Sequence, residues 1–116
     1  MNRATTVLGR QAEAAAAQYL GQRGYKILEQ NWRTRWCEID LVAERAGVIY
    51  FIEVKYRRHT NQGGGLAALT PRKLKQMDLA ARLWVSTHDY DGDYELAAVE
   101  VGGPDLGVTA FIEGLS

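Results

Sequence analysis

Four residues near the middle of the chain have the types and spacing to do chemistry together. Glu38 and Asp40 lie two positions apart, Glu53 follows Asp40 by thirteen positions, and Lys55 follows Glu53 by two. Side chains alternate along an extended strand, so Glu38 and Asp40 share one face, and Glu53 and Lys55 share one face of the next strand. Ile49 and Phe51 fall on that second face as well, which is therefore apolar at its start and charged only at its end. Two carboxylates can hold a hard divalent cation through oxygen. A lysine two residues on can stabilise a phosphate oxygen or orient an attacking water. The same residues would also make a surface salt bridge between Lys55 and Asp40 or Glu53, a common and weak arrangement. Residue types alone leave both readings open.

The surrounding elements must position these groups. Leu8, Ala12, Ala15, Ala16, Tyr19 and Leu20 recur at helical spacing, the alanine run Ala14 to Ala17 favours helix, and Gly24 stops it. On that helix Glu13 falls about 100° from the centre of the apolar stripe, at the edge of the packed face. Tyr25 to Leu28 reads as a short strand, and Asn31 to Arg35 as a polar, irregular stretch. Trp36 to Glu44 and Val48 to Tyr56 read as strands joined by a turn at Arg45-Ala46-Gly47, which predicts an antiparallel hairpin. Residues 57–69 form a glycine-rich loop. Thr70 and Pro71 then open a second helix with Leu74, Met77, Ala81 and Trp84 on its apolar stripe. Strands follow at Tyr94 to Val101 and Val108 to Ile112. Helix, three strands, helix and one or two strands predict a single α/β domain over 1–116 with a mixed sheet.

The 116 residues suit one compact domain with a core that needs no staples. A lone cysteine, Cys37, excludes an internal disulfide framework and a multi-cysteine zinc site. No apolar run approaches the roughly 18 residues of a membrane helix, and the first residues lack a signal-peptide core, so no membrane association and a cytoplasmic location are expected. Net charge is zero, but its distribution is uneven. Residues 1–82 carry all 14 Lys and Arg against seven acids, leaving +7, and residues 83–116 carry the other seven acids, leaving −7. Such asymmetry points either to a polyanion partner or to attraction between the two segments within one fold.

At this point the residues resemble a known family. Asp40 followed by Glu53-Val54-Lys55 resembles the signature of the PD-(D/E)XK nuclease superfamily, which implies a restriction-endonuclease-like core of helix, three strands, helix and strand. Gly9-Arg10-Gln11-Ala12-Glu13, Gly24-Tyr25, Asn31-Trp32-Arg33, Glu38-Ile39-Asp40-Leu41-Val42-Ala43 and Phe51-Ile52-Glu53-Val54-Lys55 more closely resemble the bacterial YraN family. That family is itself similar to the archaeal Holliday junction resolvases. The resemblance implies that Asp40 and Glu53 are metal carboxylates, Lys55 the catalytic lysine and Glu13 the extra acid beside the metal, with the Val54 carbonyl as a further ligand. The implied cofactor is Mg²⁺ or Mn²⁺. The implied activity is metal-dependent hydrolysis of phosphodiester bonds in DNA, of branched or otherwise structured form, by a protein that would work as a homodimer. In a structure the side chains of Glu13, Asp40, Glu53 and Lys55 should then converge. The alternative is a non-catalytic nucleic-acid-binding module with an idle nuclease core. The family usually has glycine where this chain has Cys37, whose alternation away from Asp40 predicts a small buried thiol.

Binding features lie on either side of the acids. Trp32-Arg33-Thr34-Arg35-Trp36 interleaves aromatics and cations, as a surface that contacts a backbone or stacks bases would, or as Trp packing with Arg on the rim would. Arg72, Lys73 and Lys75 crowd the start of the second helix, where its dipole disfavours cations and a phosphate would offset the cost. Arg57 and Arg58 extend the same track beyond Lys55. These seven cations are the expected nucleic-acid contacts, forming a basic rim with the acids displaced towards the far end of the second helix.

Overall fold

The computed structural model describes residues 6–57 and 69–115. Seven elements follow in order: α1 (Val7–Gln22), β1 (Lys26–Arg33), β2 (Glu38–Arg45), β3 (Val48–Arg57), α2 (Pro71–Thr87), β4 (Asp93–Gly102) and β5 (Gly107–Ile112). The strands form one sheet in chain order. All neighbours are antiparallel except β3 and β4, which α2 links in parallel. This is the expected mixed α/β sheet flanked by helices, with a restriction-endonuclease-like core.

Both helices start on a threonine. The Thr6 hydroxyl accepts from the Gly9 N–H at 2.9 Å, and the Thr70 hydroxyl accepts from the Lys73 N–H at 3.1 Å, each satisfying a donor that the first turn leaves over. One element differs from its expectation. β1 is a single strand rather than a short strand and an irregular stretch. A shift in register between Ile27 and Glu29, together with Asn31 at φ 54°, absorbs the irregularity while pairing continues to Arg33↔Glu38.

The helices lie on opposite faces of the sheet. Ala12, Ala16 and Leu20 of α1 pack with Leu41, Ala43, Ile52, Val54, Val99 and Val101. Met77, Ala80, Ala81 and Trp84 of α2 pack with Val42, Ile49, Phe51 and Leu96. Strands β2 to β4 are covered on both sides, which explains their near-continuous apolar runs. The end of α2 is tied to β1 as well. The Trp84 indole N–H donates to Glu29 Oε2 at 2.6 Å, and His88, stacked on Trp84 at 4.0 Å between ring centroids, places Nε2 3.0 Å from the same oxygen.

Hairpin β2–β3 turns on two residues between the paired Arg45 and Val48, with Ala46 at φ 53° and Gly47 at φ 82°. Left-handed backbone suits glycine but strains alanine, and asparagine tolerates it better. Ala46→Asn should therefore raise stability by about 0.5–1 kcal/mol, read as a higher urea midpoint at unchanged slope.

Candidate functional site

The site begins where a ladder ends. β2 and β3 pair from Arg45↔Val48 to Leu41↔Ile52 and no further. The next cross-strand pair would be Asp40 with Glu53. Instead, the Asp40 carboxylate reaches across, and its Oδ2 accepts from the Val54 backbone N–H at 2.8 Å. A side chain thus replaces the missing backbone acceptor, and a buried N–H without one would cost about 1–3 kcal/mol. Asp40 is only 1% exposed and Glu53 only 9%. Two acids lie buried side by side where the strands part.

Glu53 belongs to the α2 face. By alternation it follows Ile49 and Phe51, which pack under α2, while Ile52 and Val54 face α1. Consistently, Lys73 in the first turn of α2 places Nζ 3.1 Å from Glu53 Oε2. One of the three cations at that helix start is therefore balanced by an acid of the protein itself. Lys55, half-buried, shares this face, and parallel pairing sets it beside Glu100 of β4.

Glu100 was not among the residues picked out from the sequence. It is 5% exposed, accepts from the Thr109 hydroxyl at 2.5 Å and pairs with Arg57 at 3.3 Å. Its alternation with Leu96 and Ala98 is visible in the sequence, but its place next to Lys55 follows from a parallel register that no local pattern encodes. The acids of the C-terminal segment are thus only partly displaced. Asp89, Asp91 and Asp93 are exposed beyond the far end of α2, whereas Glu100 neutralises Arg57 beside the site.

Glu13 departs from its expected place at the edge of the helix stripe. It is buried outright, at 1% exposure, on the α1 side. α1 lies so close to the sheet, through Gly9, Ala12 and Ala16, that the flank of its stripe is covered too. Glu13 and Glu53 consequently belong to opposite faces. Among the described residues no three His, Cys, Asp or Glu side chains gather closely enough to hold a metal ion, so the expected convergence of the three acids is not formed. What remains is a two-carboxylate donor set. It fits Mg²⁺, which is commonly bound through one or two carboxylates and completes its shell with water and substrate phosphate.

A cleft of about 400 Å³ opens onto Glu53. Its lining includes Arg33, Arg35, Trp36 and Lys73, so the aromatic and cationic segment after β1 shares this space with the acid. Arg72 and Lys75 are exposed on α2. Arg58 lies outside the described residues. Cys37 is half-buried and lines the cleft, where a small buried thiol was expected. Ile39 packs under α2 although strict alternation with Leu41 would send it to the α1 face, and the strand's departure from β3 at Asp40 is where that alternation lapses. Glu38 is exposed at the cleft rim.

The model of a family described as "Uncharacterised protein family UPF0102" matches residues 12–101. A UPF0102 protein of Syntrophomonas wolfei is 49% identical over 80 residues, covering 69% of this chain and 70% of its own. One from Clavibacter michiganensis is 42% identical over 98 residues, covering 84% and 83%. One from Pseudomonas syringae pv. tomato is 38% identical over 100 residues, covering 83% and 77%.

Two stability measurements check the site. Asp40→Ala should cost about 1–3 kcal/mol, because it strands the Val54 N–H, whereas Asp40→Asn keeps an acceptor oxygen and should cost less than about 1 kcal/mol in urea unfolding. For Lys73 and Glu53, a double-mutant cycle of Lys73→Met and Glu53→Gln should give a coupling of about 0.5–1 kcal/mol, since Lys73 is partly solvated and its gain is screened.

Proposed function

The chain belongs to the uncharacterised protein family UPF0102 (YraN), and from that membership and the buried acid pair we propose that it is a metal-dependent endonuclease acting on DNA. The observation that carries this reading is the burial of Asp40 and Glu53 together where β2 and β3 part. Burying carboxylates is costly unless something compensates, and apolar residues would close a sheet more cheaply. A divalent cation held by Asp40 and Glu53 would supply Lewis-acid stabilisation of charge on a phosphate.

The protein's own residues do the remaining work in this reading. Asp40 is fixed by the Val54 N–H, so one carboxylate is oriented before any ligand arrives. Lys55, on the face of Glu53 and beside Glu100, is placed to donate to a phosphate oxygen or to orient a water. Lys73 is poised over Glu53 and able to turn towards a phosphate once that carboxylate is engaged elsewhere. Glu13 is buried against the other face of the same strands, so the metal reading rests on Asp40 and Glu53. An acid is an expensive choice at a covered position of an alanine-rich helix. Arg33, Arg35, Arg72 and Lys75 would hold the nucleic-acid backbone around the cleft, and Arg57, Arg58 and Lys73 would extend that track. The restriction-endonuclease-like fold agrees with this activity.

Cleavage of labelled junction, flap, single-stranded and duplex DNA with Mg²⁺ or Mn²⁺ tests the proposal. Wild-type protein should cut at least one of these only when metal is added. Asp40→Asn should lower the rate at least about 100-fold, the loss of a few kcal/mol of transition-state stabilisation, while the protein stays folded at the assay temperature. Salt-dependent binding without cleavage under any metal would leave the idle binding module instead.

A further inference from the structure

Trp36 is the largest apolar group left in the open. It is 74% exposed, while Trp84 is buried and Trp32 packs under α2. Its backbone is nevertheless held. Thr34 Oγ1 accepts from the N–H groups of both Trp36, at 3.1 Å, and Cys37, at 3.3 Å, and the Thr34 N–H donates to the Cys37 carbonyl at 2.8 Å. The turn therefore presents the indole from a fixed base. The Arg35 guanidinium lies over the ring, 5.3 Å from its centroid, a cation–π distance. Trp36 also stands between two hollows. On one side is the cleft that contains Glu53, and on the other is an apolar groove of about 460 Å³ lined by Leu79, Leu83 and Arg82 among others.

We infer that Trp36 is a stacking platform for an unpaired base, so that the cleft takes a single-stranded stretch of nucleic acid alongside Glu53. This rests on the nucleic-acid reading above and adds what that reading leaves open, the form of strand that enters. A flat, exposed aromatic flanked by cations suits a base and its phosphates, and stacking needs a base that is not already inside a duplex. Arg33, Arg35 and Lys73 supply positive charge along the same cleft. A second copy of the chain is a poorer occupant. A two-fold contact centred on Trp36 would bring the arginines of one copy against those of the other.

The test is fluorescence anisotropy of a labelled 20-nucleotide oligo-dT and of a blunt 20-base-pair duplex, without Mg²⁺ or Mn²⁺, using wild type, Trp36→Ala and Trp36→Phe. Trp36→Ala should weaken oligo-dT binding roughly 5- to 150-fold, the worth of one stacked base, and alter duplex binding by less than about twofold. Trp36→Phe should recover most of the loss. The residue is exposed, so all three proteins should melt together. Equal loss on both ligands, or no loss on oligo-dT, would overturn the stacking role and leave the nucleic-acid reading standing. Failure of the wild type to bind either ligand at low salt would overturn both. A wild-type dimer that Trp36→Ala converts to monomer would make the patch a self-interface and overturn the inference as well.

Discussion

The bond from the Val54 N–H to Asp40 is the constraint around which the rest of the site is arranged. An antiparallel ladder that continued past Leu41↔Ile52 would use backbone acceptors for both strands and would leave no space between them. Because a carboxylate takes over as acceptor, β2 is free to diverge towards the turn that carries Thr34 and Trp36, and β3 continues alongside β4 alone. The opening of the cleft, the burial of Asp40 and the nearness of Glu53 all follow from that one substitution of side chain for backbone. It also means that the group proposed to bind a cation is part of the sheet's own hydrogen bonding.

The two helices then divide the labour by face. α1 presents small residues and covers its side closely, burying Glu13 with its alanines. α2 covers the apolar half of the other face, and its first turn arrives where that face becomes charged. Glu53, Lys55, Arg57 and Glu100 form that charged half, with Lys73 above it. Like charges are interleaved with opposite ones, so the region is dense in ionisable groups without a large net charge.

Much of this was legible in the residues. Period-two alternation placed Glu53 and Lys55 on one face with Ile49 and Phe51, and the Thr70 cap located the start of α2. The hairpin was readable from the short turn at Arg45-Ala46-Gly47 between strand-like runs. What was not legible depended on how closely elements approach or how they align. Glu13 needed the depth of α1 packing, which an angular stripe does not report. Glu100 needed the parallel register of β4, and Lys73 needed the placement of α2 over β3. β1 differs for another reason, since its polar, bulged sequence has weak periodicity and is held as a strand by its partner.

The fastening of α2 has a mechanical consequence. At its far end the helix is clamped to β1 through Trp84, Glu29 and His88, a rigid aromatic and carboxylate anchor. At its near end a partly solvated ion pair to Glu53 is the polar tie in its first turn. Between them Leu74, Met77, Ala80 and Ala81 seat the helix on the sheet, so the end held by the ion pair is the one that yields more easily to a load. Anything that competes with Lys73 for Glu53 thus acts with a lever arm of about 17 Å, the rise of the helix from Lys73 to Trp84. A tilt about that anchor would carry Arg72 farther than Lys75, and both farther than Met77 or Ala81.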